Sequence, residues 1–443
     1  MSTELKQLKS FTQQAVEGVQ RRGITGVRAV SSNSRRVSVG YRKQRPEKVE
    51  EASSQSLSLQ LYDNGRYASC QTSDFRPEAL PAFLDTAVAM CRAMTPDEDR
   101  VLPSPDLYQN RPKVDLQAND ASLAQLAPQD RHQIAATIEA KARELAGKQA
   151  IEANGDCEDS HSLVYQVHSN GFEGTREGTQ FWTYGSITLQ DEGEKRPAGW
   201  FGSGARMRAD LAAPEEVAAK TVEVAQARLA AQRISTRKTV MIAENRAARR
   251  LVGFLICAAN ARSIHRKESF LEGQLDKSVA SEMVTLTDNP LLPRGLGSRL
   301  FDGEGISAKT MPVVEQGVLK NCYVGTYYGR KLGMTPTTGG TSNLLMELGD
   351  KSLDELMADA GNALLVRGFL GGNSNPTTGD FSLGVYGTLI ENGQPKHAVA
   401  EMNIAGRLQD LWQQLVAIGN DPDPSSSMLI PSLVFDDVQF AGA

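Results

Sequence analysis

Few residues in this 443-residue chain can do nucleophilic or metal chemistry: five histidines and five cysteines. Cys157, His161 and His168 lie closest together. His161 and His168 are seven apart on a predicted strand, an odd offset that sends them to opposite faces, so the group does not read as a metal site. His265, in Ser263-Ile264-His265-Arg266-Lys267-Glu268, reads as a surface or structural residue. No serine lies in a GxSxG elbow. The turns at Thr337–Thr341 and Pro376–Asp380 are not followed by the GK[ST] of a phosphate loop. Cys70, Cys91, Cys157, Cys257 and Cys322 are odd in number, far apart and never in a CxxC pair. That is the pattern of reduced thiols, several of them core, and not of a disulfide framework or zinc ribbon.

Charge excludes another class. Forty-eight basic against 53 acidic residues leave a formal charge of −5, which argues against a dedicated nucleic-acid binder. The strongest positive run, Arg35–Arg45, is followed at once by Glu47, Glu50 and Glu51 and reads as a solvated strand face. No apolar stretch approaches the roughly 18 residues of a membrane-spanning helix. The first residues, MSTELKQLKSFTQQAVEG, lack the apolar core of a signal peptide. The expectation is a cytoplasmic protein with neither nucleic acid nor membrane as partner.

The elements that must position any site follow from periodicity. A composition 40% hydrophobic and 23% charged over this length predicts two globular domains, with a boundary near Arg233–Lys238: residues 1–233, then 234–443. A helix is predicted over Glu4–Arg22, then strands over Ile24–Val30 and Arg35–Lys43. Leu57, Leu59 and Leu61 alternate up to Asp63-Asn64-Gly65 and the chain returns over Arg66–Thr72, a tight hairpin. Ser73 or Asp74 is placed to cap a helix whose face carries Leu80, Leu84, Val88 and Cys91, with Cys91 in the core and Pro81 allowing a later start. Val101–Leu126 reads as a long connection. A helix near Asp130–Ala146, strands His161–His168 and Thr179–Gln190, and a helix near Pro214–Gln232 follow. The strand Thr239–Ala243 then leads into a helix over Glu244–Ala261. Beyond it lie short strands, glycine turns and one helix near Ser352–Leu365. The fold class is α+β: a mixed helix and antiparallel-sheet domain, then a strand-rich, mainly antiparallel C-terminal domain.

Four ordered blocks in the C-terminal half carry a family resemblance: RKESFLEGQLDKSVASEMVTLTDNP (266–290), FDGEGISAKTMPVVEQGVLKNCYVGTYYGRKLGMTPT (301–337), GGNSNPTTGDFSLGVYGTLIENG (371–393) and IAGRLQDLWQQLVAIGNDPD (404–423). The chain resembles the TldD/PmbA family. That resemblance implies a zinc metallopeptidase of two kinds of subunit. TldD-type chains carry HExxxH on a helix upstream of the SFLEG-like block and a cysteine near the C-terminus. Two imidazoles and a thiolate hold zinc, and the glutamate is general base for water. Five residues span about 500° of ideal helix, so that helix must be distorted to converge both rings.

Counting back from Ser269 places Val252-Gly253-Phe254-Leu255-Ile256-Cys257 at the motif. No histidine or carboxylate remains there, and Cys257, at the second histidine position, reads as core. No cysteine follows Cys322, and Ser425–Met428 occupies the region of the C-terminal ligand. The resemblance therefore implies a PmbA/TldE-type subunit with no catalytic residue and no metal of its own, zinc being expected in a TldD-type partner. Its partners would be that subunit or a second copy of itself, with a peptide or unfolded protein as substrate. The alternative is a homodimeric peptide-binding or scaffolding protein without peptidase activity. The candidate substrate-binding or interface segment is Gly371–Asp380, with Asn373, Ser374, Asn375, Thr377, Thr378 and Asp380 as its polar groups. The same residues also suit a hairpin loop whose side chains cap their own backbone.

Overall fold

A computed structural model describes residues 2–442. The N-terminal half comprises α1 (Thr3–Arg21), β1 (Gly26–Arg42), β2 (Arg45–Asp63), β3 (Arg66–Thr72), α2 (Leu80–Ala93), α3 (Pro128–Ala146), β4 (Ala150–His168), β5 (Glu173–Leu189), β6 (Ala198–Ala205) and α4 (Pro214–Gln226). The strands form one antiparallel sheet in the order β3-β2-β1-β4-β5-β6. At the predicted hairpin Asn64 and Gly65 take φ of 48° and 76°, the backbone that an Asn-Gly turn supplies cheaply.

The two strands expected over 24–30 and 35–43 are one continuous β1. Its polar middle, Ser31–Ser34, stays in the ladder because its hydroxyls find partners: Ser32 with Ser56 and Ser34 with Ser54, each 2.8 Å, and Ser31 with Thr12 of α1. Helix α2 begins later than Ser73 or Asp74 would set it. Pro81 sits in its first turn without a side-chain cap, and Asp74 instead holds Arg76.

All four helices cover one face of the sheet. Phe11 and Val19 of α1 and Leu84 and Cys91 of α2 pack on Leu57, Leu59 and Leu61. Ile138 of α3 and Val222 of α4 pack on Ala153 and Ile187. Glycines permit this approach: a Cβ on Gly155 would meet the Ala135 carbonyl at 2.2 Å, and one on Gly199 the Ala225 nitrogen at 2.4 Å. Under α3, Arg131 and Asp159 form a buried ion pair, their side chains 5% and 2% exposed.

The C-terminal half comprises β7 (Arg237–Ala243), α5 (Asn245–Ala258), α6 (Ala261–His265), β8 (Leu286–Asp288), β9 (Met311–Glu315), β10 (Val318–Leu319), α7 (Thr326–Leu332), β11 (Leu344–Met346), α8 (Leu353–Ala360), β12 (Ala363–Ser374), β13 (Asp380–Glu391), β14 (Gln394–Arg407), α9 (Leu408–Gln413), β15 (Leu415–Ile418), β16 (Met428–Leu429) and β17 (Leu433–Ala441). The larger sheet runs β14-β13-β12-β7-β17-β15, and Asn403–Ile404 of β14 also pair with Phe440–Ala441 of β17, closing it on itself. Only β7–β12 is parallel there. A smaller sheet, β10-β9-β8-β11-β16, lies beside it. The helix expected over 352–365 stops at Ala360. Gly361 turns the chain at φ 63°, and the apolar run from Ala363 becomes the buried strand β12. One core cluster, including Leu251, Val313, Trp412 and Phe435, joins both sheets and α5.

The halves are stitched by polar contacts and by an aromatic cluster. Asp97 accepts from the Tyr327 hydroxyl at 2.7 Å and Lys331 Nζ at 2.9 Å. Phe172 packs on Phe301 with ring centroids 5.1 Å apart. Among the described residues no helix is long and apolar enough to cross a membrane.

Candidate functional site

The helix that would hold a zinc motif exists as α5, and its amphipathic pattern decides what each position can do. Ala247, Ala248, Leu251, Val252, Leu255 and Ala258 are buried in the C-terminal core. Val252, which the resemblance would set at the first histidine position, is fully buried. Gly253, at the expected glutamate position, has open space where a side chain would start. Cys257, at the expected second histidine position, is exposed. That corrects the expectation of a core thiol: the buried stripe runs through 251, 255 and 258, and residue 257 falls on the opposite side of the turn. Among the described residues no group of three or more His, Cys, Asp or Glu is placed to hold a metal ion. A buried valine, a glycine and one exposed thiol do not fit zinc.

The solvent-side ridge of α5 is basic. Arg246 and Arg249 face Asp423 at 3.6 and 3.4 Å, and Arg250 donates to the carbonyls of Gly371 and Gly372. The region expected to replace the C-terminal thiol ligand joins the two halves, because Ser425 Oγ accepts from the Gly204 amide at 2.9 Å.

The segment 371–380 forms the end of the β12–β13 hairpin. Asn373, Asn375, Thr377, Thr378 and Asp380 are exposed and Ser374 is half-buried. Several of these side chains serve their own backbone. Asn375 Oδ1 accepts from the Thr377 amide at 3.0 Å, Asn373 Oδ1 from the Ser374 amide at 2.9 Å, and the Thr378 hydroxyl bonds Asp380. The loop is docked through backbone groups, with the Pro376 carbonyl accepting from the Phe270 amide and the Gly379 carbonyl from the Leu408 amide. Three of the four blocks quoted above therefore meet at this hairpin.

The histidines are separated as strand alternation predicts. His168 is buried, 2.8 Å from both the Tyr108 hydroxyl and Gln166. Burial pushes it down to about 3, so it is a neutral structural residue. His161 lies on the helix side of the sheet, 3.0 Å from Glu177. It lines a polar cavity of about 880 Å³ with Glu4, Arg35, Gln55 and Asp120. Cys157 is buried, which pushes its thiol up to about 12 and leaves it unreactive. His265 is exposed beside the Tyr328 ring. The basic run on β1 and β2 is spent on neighbours, Arg35 on Glu51, Arg36 on Glu158 and Arg42 on Glu47 and Glu152.

Sequence reasoning missed the junction of the two halves. There a cavity of about 680 Å³ lies between β4–β5 and the 296–300 loop, with Arg176, Arg206 and Arg299 in its wall. No local signal marks these residues, which come from three separate segments.

Comparison with known proteins covers nearly the whole chain. Residues 27–91, 121–229 and 236–442 match, in turn, PmbA/TldA metallopeptidase domain 1, the central domain and the C-terminal domain. The chain is 30% identical to the Haemophilus influenzae metalloprotease PmbA homolog, over 99% of this chain and 96% of that one. It is 28% identical to the metalloprotease PmbA of Escherichia coli O157:H7, over 94% and 92%. A Bacteroides thetaiotaomicron protein described as a proposed modulator of DNA gyrase superposes with a TM-score of 0.95 at 36% identity, over 98% and 99% of the two chains. TldE from Thermococcus kodakarensis shares the fold, with a TM-score of 0.85 at 22% identity over 98% and 100%. With its ordered blocks, its closed C-terminal sheet and these end-to-end matches, the chain belongs to the PmbA/TldD metallopeptidase family.

Proposed function

We propose that this chain is the non-catalytic, TldE/PmbA-type subunit of a zinc metallopeptidase whose metal resides in a TldD-type partner, and that it helps enclose a cavity where unfolded peptides and small proteins are processed. The observation that carries this reading is α5, which keeps the helix and its packing but has buried Val252, Gly253 and lone Cys257 where ligands and base would stand. A scaffold retained without donors favours assembly over chemistry. The Gly371–Asp380 hairpin is the proposed contact with substrate or partner, since it displays exposed amides and hydroxyls at the meeting point of three family blocks. Extended peptides add to such strand-rich edges through main-chain hydrogen bonds. The formal charge of −5 supports contact with proteins and not with DNA, and the proposed location is cytoplasmic.

The test is purification of the chain alone and after co-expression with a TldD-type subunit, followed by metal analysis and a peptidase assay. The expected result is no stoichiometric zinc and no hydrolysis alone, with chelator-sensitive activity in the complex. Chelator-sensitive hydrolysis by the chain alone would sink the proposal. A stable homodimer that ignores the TldD-type chain in light scattering would favour the homodimeric scaffold instead.

A further inference from the structure

The junction cavity gathers three guanidinium groups that the fold brings from distant segments: Arg176 on β5, Arg206 just beyond β6, and Arg299 two residues before Phe301. Among the described residues none of the three forms an ion pair, unlike Arg131, Arg294 or Arg367. Arg206 donates to the carbonyls of Thr179, Gly295 and Leu296, and Arg299 to those of Gly340 and Thr341 and to the Thr338 hydroxyl. Arg176 lies over the Phe301 ring at 5.3 Å, and its buried Nε has no hydrogen-bond partner among the described residues. Burial, then the like charges of Arg299 and Arg28, push its guanidinium below the ordinary range.

The acids nearby are engaged elsewhere. In the cavity wall, Glu177 accepts from His161 and Asp115 from the Gln117 amide. Asp302, which partly offsets Arg176, already accepts from the amides of Glu304, Ile306 and Gly339 and from the Thr338 hydroxyl. Half-buried cations without a direct ion pair are costly, and a bound oxyanion relieves that cost through charge-assisted, planar hydrogen bonds. A free inorganic anion is a poor match for the remaining space. The volume of about 680 Å³ is that of an organic ligand site, and Leu116, Val164 and Leu300 line it beside Ser162 and Gln180.

We propose that this cavity binds an organic carboxylate, the free C-terminal carboxylate of a short peptide, with the anion on Arg176 and the peptide body along the apolar wall. The choice of a peptide rests on the functional reading above, whereas the excess of positive charge stands without it.

Isothermal titration calorimetry of the full chain, without any partner, tests the proposal with three probes: acetyl-Leu-Ala-Leu with a free C-terminus, the same peptide amidated, and sodium phosphate. The free acid binds, and amidation or Arg176→Gln each weakens it about ten- to a hundredfold, the effect of one charged hydrogen-bonding group. Arg176→Lys keeps part of the affinity. Arg176→Gln also raises the melting temperature of the ligand-free chain, because it removes a half-buried charge that has no ion pair. If that variant fails to fold, the free-acid and amidated peptides on the unaltered chain still supply the comparison. Equal affinity for acid and amide, no binding of either, or binding of phosphate without the peptide acid overturns the proposal. Because the chain is tested alone, the result does not depend on whether a TldD-type subunit restores peptidase activity.

Discussion

The two halves of the molecule are held together in different ways. The C-terminal half closes a sheet around one large apolar cluster, which includes fully buried Trp412 with Phe435 5.8 Å away, and packs a smaller cluster beneath α8. The N-terminal half divides its helix-facing side into smaller clusters, and between them buries polar contacts: Arg131 with Asp159, Arg143 with Glu139, and Thr12 with Ser31. The first arrangement depends on volume, the second on pairing. A cavity should therefore damage the C-terminal half most, and an orphaned charge or a misplaced methyl the N-terminal half.

Trp412→Ala carries the largest expected effect, a loss of about 4 kcal/mol in a denaturant titration, whereas Trp412→Phe should cost far less. Asp159→Asn should cost about 3 kcal/mol by stranding Arg131. Replacing the pair together, by Arg131→Met with Asp159→Leu, should recover most of that loss. If the double variant is as unstable as the single one, the N-terminal half depends on shape at this point and the contrast fails. Gly155→Ala should cost about 2 kcal/mol, since the added methyl has no room against the α3 backbone.

The seam between the halves is weaker and depends on pH. Hydrogen bonds from Lys331 and then Tyr327 hold the Asp97 carboxyl down to about 2. Its contribution is therefore present above its unfolded value of about 3.9 and is lost as pH falls toward about 2. Asp97→Asn should remove at most about 1 kcal/mol at neutral pH, because the pair is partly exposed, and should flatten the melting temperature against pH between about 4 and 2. At the far end, Asn373→Ala and Thr377→Ala in the exposed hairpin should shift stability by less than about 0.5 kcal/mol. A larger loss of activity in the reconstituted complex would then mark the loop as a contact surface.

Much of the frame was legible because it is local. The turn at Asp63-Asn64-Gly65, the helix face carrying Leu84, Val88 and Cys91, and the opposite facing of His161 and His168 each follow from short-range periodicity and turn chemistry. Apart from the start of α2, which Pro81 and Asp74 set locally, the misreadings share one cause, a tertiary partner that changes the value of a local pattern. Ser31–Ser34 continue a strand because neighbours satisfy their hydroxyls, and Ala363–Val366 leave a helical pattern because β7 and β13 flank them.

The candidate site divides along the same line. By itself the sequence determined that no histidine or carboxylate stands at Val252–Cys257, since residue identity at a motif needs no fold. Only the tertiary structure decided that Val252 is sealed in the core while Cys257 is exposed, because helix rotation is set by what α5 packs against. It alone decided that Arg176, Arg206 and Arg299 share one cavity. Their segments are distant in the chain, and electrostatic cost depends on distance through space and on lost water, neither of which a linear sequence records.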